Sequence, residues 1–173
     1  MRVLIAADAD WLVDEIVAAL GGPGVSFTVC TEGREVSRLV GGADEVFDVG
    51  IFDLQIGSMG GMAVTLALRL DESADAVPHV PVVMVLDRVA DVHLARRSGA
   101  DGWLVKPLDP LRLERAVRAV TAGGTYHEGL DGVEIVVPTL ELVPDEATVE
   151  AESADEDAEV EVVVGSSDSD ASE

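Results

Sequence analysis

The stretch VPVVMVL, residues 80–86, decides the fold class, because it is apolar throughout and polar residues flank it on both sides. A second apolar run, VGIF at residues 49–52, precedes it in the chain. Strands with one solvated face alternate between apolar and polar residues, whereas strands covered on both faces are apolar continuously. The two runs therefore predict central strands of a parallel sheet that carries helices on both faces.

The chain on either side of these runs alternates between short strands and helical patterns. The predicted strands are Arg2–Ala6, Val25–Cys30, Val49–Asp53, Val80–Leu86 and Gly102–Val105. Apolar stripes at helical spacing lie between and after them, at Leu12, Ile16 and Leu20, at Met62, Leu66 and Leu70, and at Leu113, Val117 and Val120. Five strand–helix units in series predict a doubly wound α/β domain, with a five-stranded parallel sheet in the order 2-1-3-4-5.

Turn and capping residues mark where the predicted helices begin and end. Asp109 followed by Pro110 predicts an N-cap and a first helical residue, and the glycines at 123–124 predict the end of that helix. Gly21 and Gly22 predict the end of the first helix.

Charged residues follow three of the predicted strands. Asp8 follows the first strand, Asp53 ends the third, and Lys106, the only lysine in the chain, follows the fifth. In a sheet of this order the ligand crevice lies beyond the carboxyl ends of the strands, between the first and the third. Two carboxylates there suit Mg²⁺, and a carboxylate can attack phosphorus while a lysine binds a phosphoryl oxygen. Asp10 is interpreted as the N-cap of the first helix.

This arrangement resembles the receiver domains of two-component response regulators. The matching segments are VLIAADAD (3–10), FDVGIFDLQIGSMGGM (47–62), VPVVMVLDR (80–88) and SGADGWLVKPLDPLRLERAV (98–117). The resemblance covers residues 1–122 and implies that Asp53 accepts a phosphoryl group and that Lys106 binds it. It places Mg²⁺ at Asp8, Asp53 and the backbone carbonyl of Gln55. It also implies a cis peptide bond between Lys106 and Pro107.

The sequence departs from the receiver pattern around the site. The first of the two usual acids after the first strand is Ala7, and the usual Ser or Thr at the fourth strand's end, a switch position, is Leu86. Asp87 follows, and its charge opposes a phosphate if it points inward. Trp103 stands where the family keeps its switch aromatic, although a tryptophan inside a strand is more often a core residue. The segment 81–99 is about two residues shorter than usual, which predicts that the fourth helix is either clipped or remodelled.

Two functions fit these residues, and a third fits less well. The first is a stand-alone receiver, not an enzyme, that takes a phosphoryl group on Asp53 from a histidine kinase or phosphotransfer protein and signals by contact with an unknown output protein. The alternative is a pseudo-receiver that serves as an interaction or scaffold module without phosphorylation. An aspartate-nucleophile phosphohydrolase is disfavoured, because residues 53–55 read DLQ rather than DxD and no cap insertion is visible.

The segments after residue 122 differ in composition from the rest of the chain. Residues 123–137 form a short extension that either docks as an extra strand or stays loose. Residues 138–173 hold 13 acids and no lysine or arginine, which predicts a disordered acidic tail. Within it EVEVVV, residues 159–164, is either a strand-addition motif or, more in keeping with its composition, a solvated extended segment.

Composition excludes several classes of function. The net charge of −23 repels a phosphate backbone, so direct binding of nucleic acid is not expected. No apolar run reaches the roughly 18–20 residues that a membrane span needs, and the N-terminus lacks signal-peptide features, so we expect a cytoplasmic protein. Cys30 is the only cysteine and the histidines show no ligand spacing with it, so neither a disulfide nor a zinc site is expected. Arginines on the fourth and fifth helices form either solvated faces or partner faces, which leaves a homodimer possible.

Overall fold

The computed structural model describes residues 1–42, 46–57, 59–129 and 132–136, together with the backbone of 162–165. The strands are β1 (Arg2–Ala6), β2 (Ser26–Cys30), β3 (Val49–Asp53), β4 (Val82–Leu86), β5 (Gly102–Val105), β6 (Thr125–Gly129), β7 (Gly132–Val136) and β8 (Val162–Gly165). The α-helices are α1 (Asp10–Leu20), α2 (Val36–Gly41), α3 (Gly61–Ser73), α4 (Val92–Ser98) and α5 (Pro110–Thr121).

The sheet confirms the predicted order 2-1-3-4-5 and extends it on the β5 side. The strands lie in the order β2-β1-β3-β4-β5-β6-β7-β8, and all pairs from β2 to β6 are parallel. The first five strands thus form the doubly wound core expected from the sequence, with their carboxyl ends at one edge of the sheet.

The residues of β4 show why its sequence is apolar throughout. Val82, Met84 and Leu86 pack in a core beneath α2, α3 and α4, whereas Val83 and Val85 pack in a second core beneath α1 and α5. Successive side chains of a strand point to opposite faces of the sheet, so a strand between two cores needs apolar residues at every position. Every residue of β4 is accordingly buried.

The predicted apolar stripes are confirmed for α1 and α5 but wrong for α3. Leu66 and Leu70 are 44% and 69% exposed. The buried face of α3 consists of Gly61, Val64, Thr65 and Leu68 instead. A Cβ at Gly61 would lie 2.4 Å from the backbone oxygen of Asp53, so this glycine lets the helix begin directly against the end of β3. That contact fixes which face of the helix turns inward.

The helix ends agree with the sequence in part. Asp109 caps α5 by accepting a hydrogen bond from the backbone N–H of Arg112 at 3.0 Å, as predicted. Asp10 is not the N-cap of α1, which is Ala9; Asp10 lies in the first turn, where its charge complements the helix N-terminus. The fourth helix, predicted to be clipped or remodelled, has seven residues and follows a 3₁₀ turn at Val89–Asp91.

The extension after α5 docks as an extra strand, which is one of the two alternatives for this segment. β6 runs parallel to β5, and β7 returns antiparallel to β6. We call β6 and β7 together, residues 125–129 and 132–136, the C-terminal hairpin. The backbone of Val162–Gly165 pairs antiparallel with β7, which differs from the expectation of a solvated segment at these residues. The rest of the predicted disordered tail lies outside the described residues. Within the described part of the chain, no helix has the length and apolar character for crossing a membrane.

Candidate functional site

The candidate site is centred on Asp53, the last residue of β3. Its side chain is only 3% exposed, because β3 lies between β1 and β4 in the sheet. Its Oδ1 atom accepts hydrogen bonds from Lys106 Nζ at 2.9 Å and from the backbone N–H of Gln55 at 3.3 Å. Its Oδ2 atom accepts no hydrogen bond from the described residues. One carboxylate oxygen is thus held in place, and the other keeps its bonding capacity.

Lys106 follows β5 and brings its ammonium group between two carboxylates. Nζ lies 2.9 Å from Oδ1 of Asp53 and 2.9 Å from Oδ1 of Asp87. Burial alone lowers the pKa of a lysine, but the hydrogen bonds to Asp87 and Asp53 outweigh burial and raise the pKa of Lys106. The cis peptide bond between Lys106 and Pro107 is confirmed. Lys106 therefore supplies a positive charge at the site.

Asp87 and Leu86 define the β4 side of the crevice. Asp87 points inward, as the sequence analysis considered, and shares the Lys106 ammonium with Asp53. Its side chain is 35% exposed, so it lies at the rim of the site. Leu86 is fully buried in the core and brings no polar atom to the crevice. The position where receivers carry a hydroxyl therefore belongs to the core here.

The β1 side of the crevice carries Asp8, one of the residues predicted to bind Mg²⁺ together with Asp53 and Gln55 after β3. Asp8 is exposed, and its Oδ2 accepts a hydrogen bond from the backbone N–H of Gly57 at 3.0 Å, which ties the loop after β3 to the end of β1. Ala7 is fully buried in the core. The described residues contain no group of three or more Asp, Glu, His or Cys side chains that could hold a metal. The available donors, two carboxylates and the Gln55 carbonyl, fit Mg²⁺, which prefers oxygen ligands and keeps several waters.

Trp103 is a core residue in this structure, and residues of the C-terminal hairpin contact its side chain. It is 1% exposed, and its indole N–H donates to the backbone oxygen of Glu128 at 2.7 Å. The His127 ring stacks on it with centroids 3.8 Å apart, and the Arg96 guanidinium carbon lies 5.9 Å from the ring centroid. The switch role of Trp103 and Leu86 that the resemblance implies stays a prediction.

Two contacts around Lys106 were not predicted from the sequence. Trp11 of α1 is 53% exposed, and its ring centroid lies 5.4 Å from Lys106 Nζ. Glu128 is buried and bonded to β5 and α5. The signal for Glu128 is present in the sequence, because Tyr126 and Glu128 alternate along β6 and share a buried face. A carboxylate on such a face needs a buried partner.

Comparison with known proteins identifies relatives over the α/β core. The response regulator receiver domain model matches residues 3–118. The DNA-binding response regulator MtrA of Mycolicibacterium paratuberculosis is 31% identical over 120 residues, which cover 68% of this chain and 50% of MtrA. This chain therefore spans about half the length of MtrA. Protein PilH of Pseudomonas aeruginosa is 29% identical over 122 residues, which cover 70% of this chain and 98% of PilH.

Solved structures share the fold. The receiver domain of the sensor histidine kinase PA1611 from Pseudomonas aeruginosa, which has a magnesium ion coordinated in its active site cleft, superposes with a TM-score of 0.55 at 18% identity. The superposition covers 68% of this chain and 93% of that domain. The family match, the sheet order and the convergence of Asp53 and Lys106 agree with one another, and the chain belongs to the family of response regulator receiver domains.

Proposed function

We propose that this protein is a working receiver that takes a phosphoryl group on Asp53 from a histidine kinase or phosphotransfer protein. The observation that carries the proposal is the contact of Lys106 Nζ with Oδ1 of Asp53 at 2.9 Å, while Oδ2 of Asp53 accepts no hydrogen bond from the described residues. This geometry leaves one carboxylate oxygen available as a nucleophile, with a positive charge beside it.

The chemistry follows from these two residues. A carboxylate oxygen of Asp53 attacks the phosphorus of a phosphohistidine, the new O–P bond forms as the P–N bond breaks, and the imidazole nitrogen takes up a proton. The ammonium of Lys106 offsets the negative charge of the phosphoryl oxygens. Asp8, Asp53 and the backbone carbonyl of Gln55 would hold Mg²⁺, which would supply further charge neutralisation.

The proposal includes how the signal leaves the domain. Receiver domains exchange phosphoryl groups with histidine kinases or phosphotransfer proteins, and the segment of this chain that matches PilH covers 98% of PilH. We propose that this one acts in the cytoplasm, signals by protein contact and turns over no separate substrate. The kinase and the output protein are not specified by these residues.

A second function, the pseudo-receiver, is favoured by the rim of the site. Ala7 and Leu86 are fully buried and apolar at positions where receivers use polar side chains. The Lys106 ammonium already donates a hydrogen bond to Asp87, and the negative charge of Asp87 repels an incoming phosphoryl group. In this alternative the folded domain binds a partner constitutively, and Asp53 stays unmodified.

Intact-mass analysis after incubation with acetyl phosphate and Mg²⁺ distinguishes the two functions. We expect the mass of one phosphoryl group on the native protein, its loss in Asp53→Asn, and its retention in Asp14→Asn, a matched change at an exposed aspartate of α1. Mg²⁺ alone should also raise the thermal midpoint, because a ligand that binds the folded state stabilises it. No adduct on the folded protein, together with no response to beryllofluoride, would establish the pseudo-receiver.

A further inference from the structure

The C-terminal hairpin lies outside the segment matched by the receiver family model, which ends at residue 118. β6 pairs with β5 through two residue pairs only, Gly102 with Tyr126 and Trp103 with His127. After these two pairs, the bond between β6 and the end of β5 is made by the Glu128 side chain instead of the backbone. On its β6 side, the part of β5 that leads into Lys106 is therefore held by Glu128.

Glu128 reaches the residue before Lys106. It is buried, and its Oε2 accepts a hydrogen bond from the backbone N–H of Val105 at 2.5 Å. In a paired strand this N–H would donate to a backbone carbonyl of the neighbouring strand. The carboxylate thus takes the place of a main-chain acceptor at the end of β5.

Glu128 also reaches the residue after Lys106, through Arg112 of α5. Oε1 of Glu128 forms an ion pair with Nη1 of Arg112, and Nη2 of the same guanidinium donates to the backbone oxygen of Pro107 at 2.5 Å. A planar guanidinium that bonds two acceptors at once fixes their relative position. Glu128 and Arg112 therefore bracket Lys106 on both sides along the backbone.

A third anchor completes the support of this segment. The backbone N–H of Lys106 donates to the oxygen of Leu86 at 2.8 Å, and the backbone oxygen of Glu128 accepts the indole N–H of Trp103. The backbone from Val105 to Pro107 is thus tied to β4, β6 and α5. The Lys106 side chain is long and flexible, so a fixed backbone at its base limits where its ammonium can lie.

We propose that Glu128 is a positioning residue for Lys106, so that the C-terminal hairpin forms part of the receiver site. Through the Val105 N–H and through Arg112, Glu128 holds the backbone in the path that directs the ammonium to Asp53. The proposal rests on the proposed function only for the effect of Glu128 on phosphorylation. The placement of the Lys106 ammonium can be tested without any phosphorylation.

The test uses the reactivity of Lys106 toward an amine-acylating reagent. The chain has a single lysine, so the reagent acylates only Lys106 and the N-terminal amine of Met1, which serves as the internal reference. In Glu128→Ala we expect the acylation rate of Lys106 to rise about tenfold relative to that reference, since losing charge-assisted hydrogen bonds shifts an equilibrium by that order. The rates are read from peptide masses over time.

Matched variants separate positioning from loss of stability. Glu134→Ala removes an exposed carboxylate from β7 of the same hairpin and should leave the rate unchanged. Leu20→Ala weakens the core at the far end of α1 and should also leave it unchanged, although the protein is less stable. Glu128→Gln keeps an acceptor for the Val105 N–H and should give an intermediate rate. Arg112→Met should act in the same direction as Glu128→Ala.

Two outcomes would overturn the proposal. One is an unchanged rate in both folded Glu128→Ala and Arg112→Met, and the other is an equal rise in Leu20→Ala. The acetyl phosphate assay is then run on the same variants, and we expect a lower adduct yield in Glu128→Ala than in Glu134→Ala. If native protein forms no adduct, the proposed function fails while the acylation rates still decide the role of Glu128. If native protein forms the adduct and the rates do not change, the role of Glu128 fails alone.

Discussion

Two ion-pair clusters of similar composition lie at opposite ends of β4 and β5. The site cluster consists of Lys106, Asp53 and Asp87 at the carboxyl ends of the strands. The Arg69 cluster consists of Arg69, Glu72 and Asp101 at the amino ends. Each contains one cation and two carboxylates, yet the two clusters differ in how many of their hydrogen bonds are made.

The Arg69 cluster is nearly saturated. The guanidinium bonds both oxygens of Glu72 at 2.7 Å and Oδ2 of Asp101 at 2.6 Å. The same carboxylates accept backbone N–H groups, Glu72 from Val80 at 3.0 Å and Asp101 from Val82 at 2.7 Å. All of these partners belong to the fold itself. The cluster fastens α3 to the starts of β4 and β5 and has little capacity left for a ligand.

The site cluster keeps hydrogen-bonding capacity for a ligand, which the Arg69 cluster lacks. Oδ2 of Asp53 accepts no hydrogen bond from the described residues, and Lys106 presents a point charge on a flexible stem. The comparison shows that composition alone does not mark a functional cluster. Unused acceptors at a crevice, with a cation that can change partners, distinguish the site from the structural network.

The largest expected effect comes from breaking the saturated cluster. Arg69→Met leaves two carboxylates, including the poorly exposed Glu72, without their cation, and we expect a loss of about 3 kcal/mol in the free energy of unfolding by urea. Arg38→Met is the control, because Arg38 is 74% exposed and its pair with Glu35 contributes about 0.5 kcal/mol or less. Equal losses in the two variants would show that the Arg69 cluster does not stabilise the fold.

In the site cluster we expect a smaller effect, which changes the rate of phosphorylation and not the stability of the fold. Asp87→Asn removes a negative charge next to Lys106 and leaves the ammonium to Asp53 and the phosphoryl group. We expect the rate of phosphorylation by acetyl phosphate to rise about fivefold, which corresponds to about 1 kcal/mol of charge repulsion near a solvated rim. Stability should change by less than about 1 kcal/mol. A slower reaction in the variant, with Asp14→Asn unchanged, would mean that Asp87 assists phosphorylation.

In acid the Arg69 cluster should weaken. Burial alone would raise the pKa of Glu72, but hydrogen bonds from His79, the Val80 N–H and Arg69 outweigh it and lower the pKa below 4.5. The stabilisation from Glu72 is therefore present above pH 4.5 and is lost as the pH falls through the lower folded-state value. The difference in urea midpoint between native protein and Glu72→Gln should shrink in that range. A constant difference down to the acid transition would contradict this.

In base the site cluster should weaken, with the smallest effect of the series. The pKa of Lys106 is raised above 10.5, so its stabilisation is complete below pH 10.5 and is lost as the pH rises through the higher folded-state value. The difference in urea midpoint between native protein and Lys106→Met should narrow only there. If the difference in urea midpoint narrows near neutral pH instead, the Lys106 ammonium does not form the stabilising ion pairs with Asp53 and Asp87.

Much of the fold and the centre of the site could be predicted from the sequence. The bounds of Arg2–Ala6, Val49–Asp53 and Gly102–Val105 agree with the structure, because a strand buried on both faces shows itself in a continuous apolar run. Strand order places Asp53 and Lys106, which are 53 residues apart, at the same edge of the sheet, and the resemblance to receiver domains implies that the two act together.

The rotation of α3 and the particular partners of Glu128 could not be predicted in the same way, although the alternation along β6 indicates that Glu128 shares the face of Tyr126. α3 has apolar residues on two faces, and the choice between Leu66 and Leu68 is made by the packing of Gly61 against the end of β3. Glu128 acts through partners on β5 and α5, and neither local propensity nor a motif specifies such contacts. Long-range packing decides both features.

The bonding of the β5 edge bears on how this receiver can be recombined with other modules. A chain cut after α5, close to residue 118 where the family match ends, would leave the Val105 N–H and the Trp103 indole without their acceptors on Glu128. An uncovered strand edge invites pairing with other chains and aggregation. A transferable unit must therefore include Glu128, and a fusion protein built on this receiver should carry the C-terminal hairpin with it.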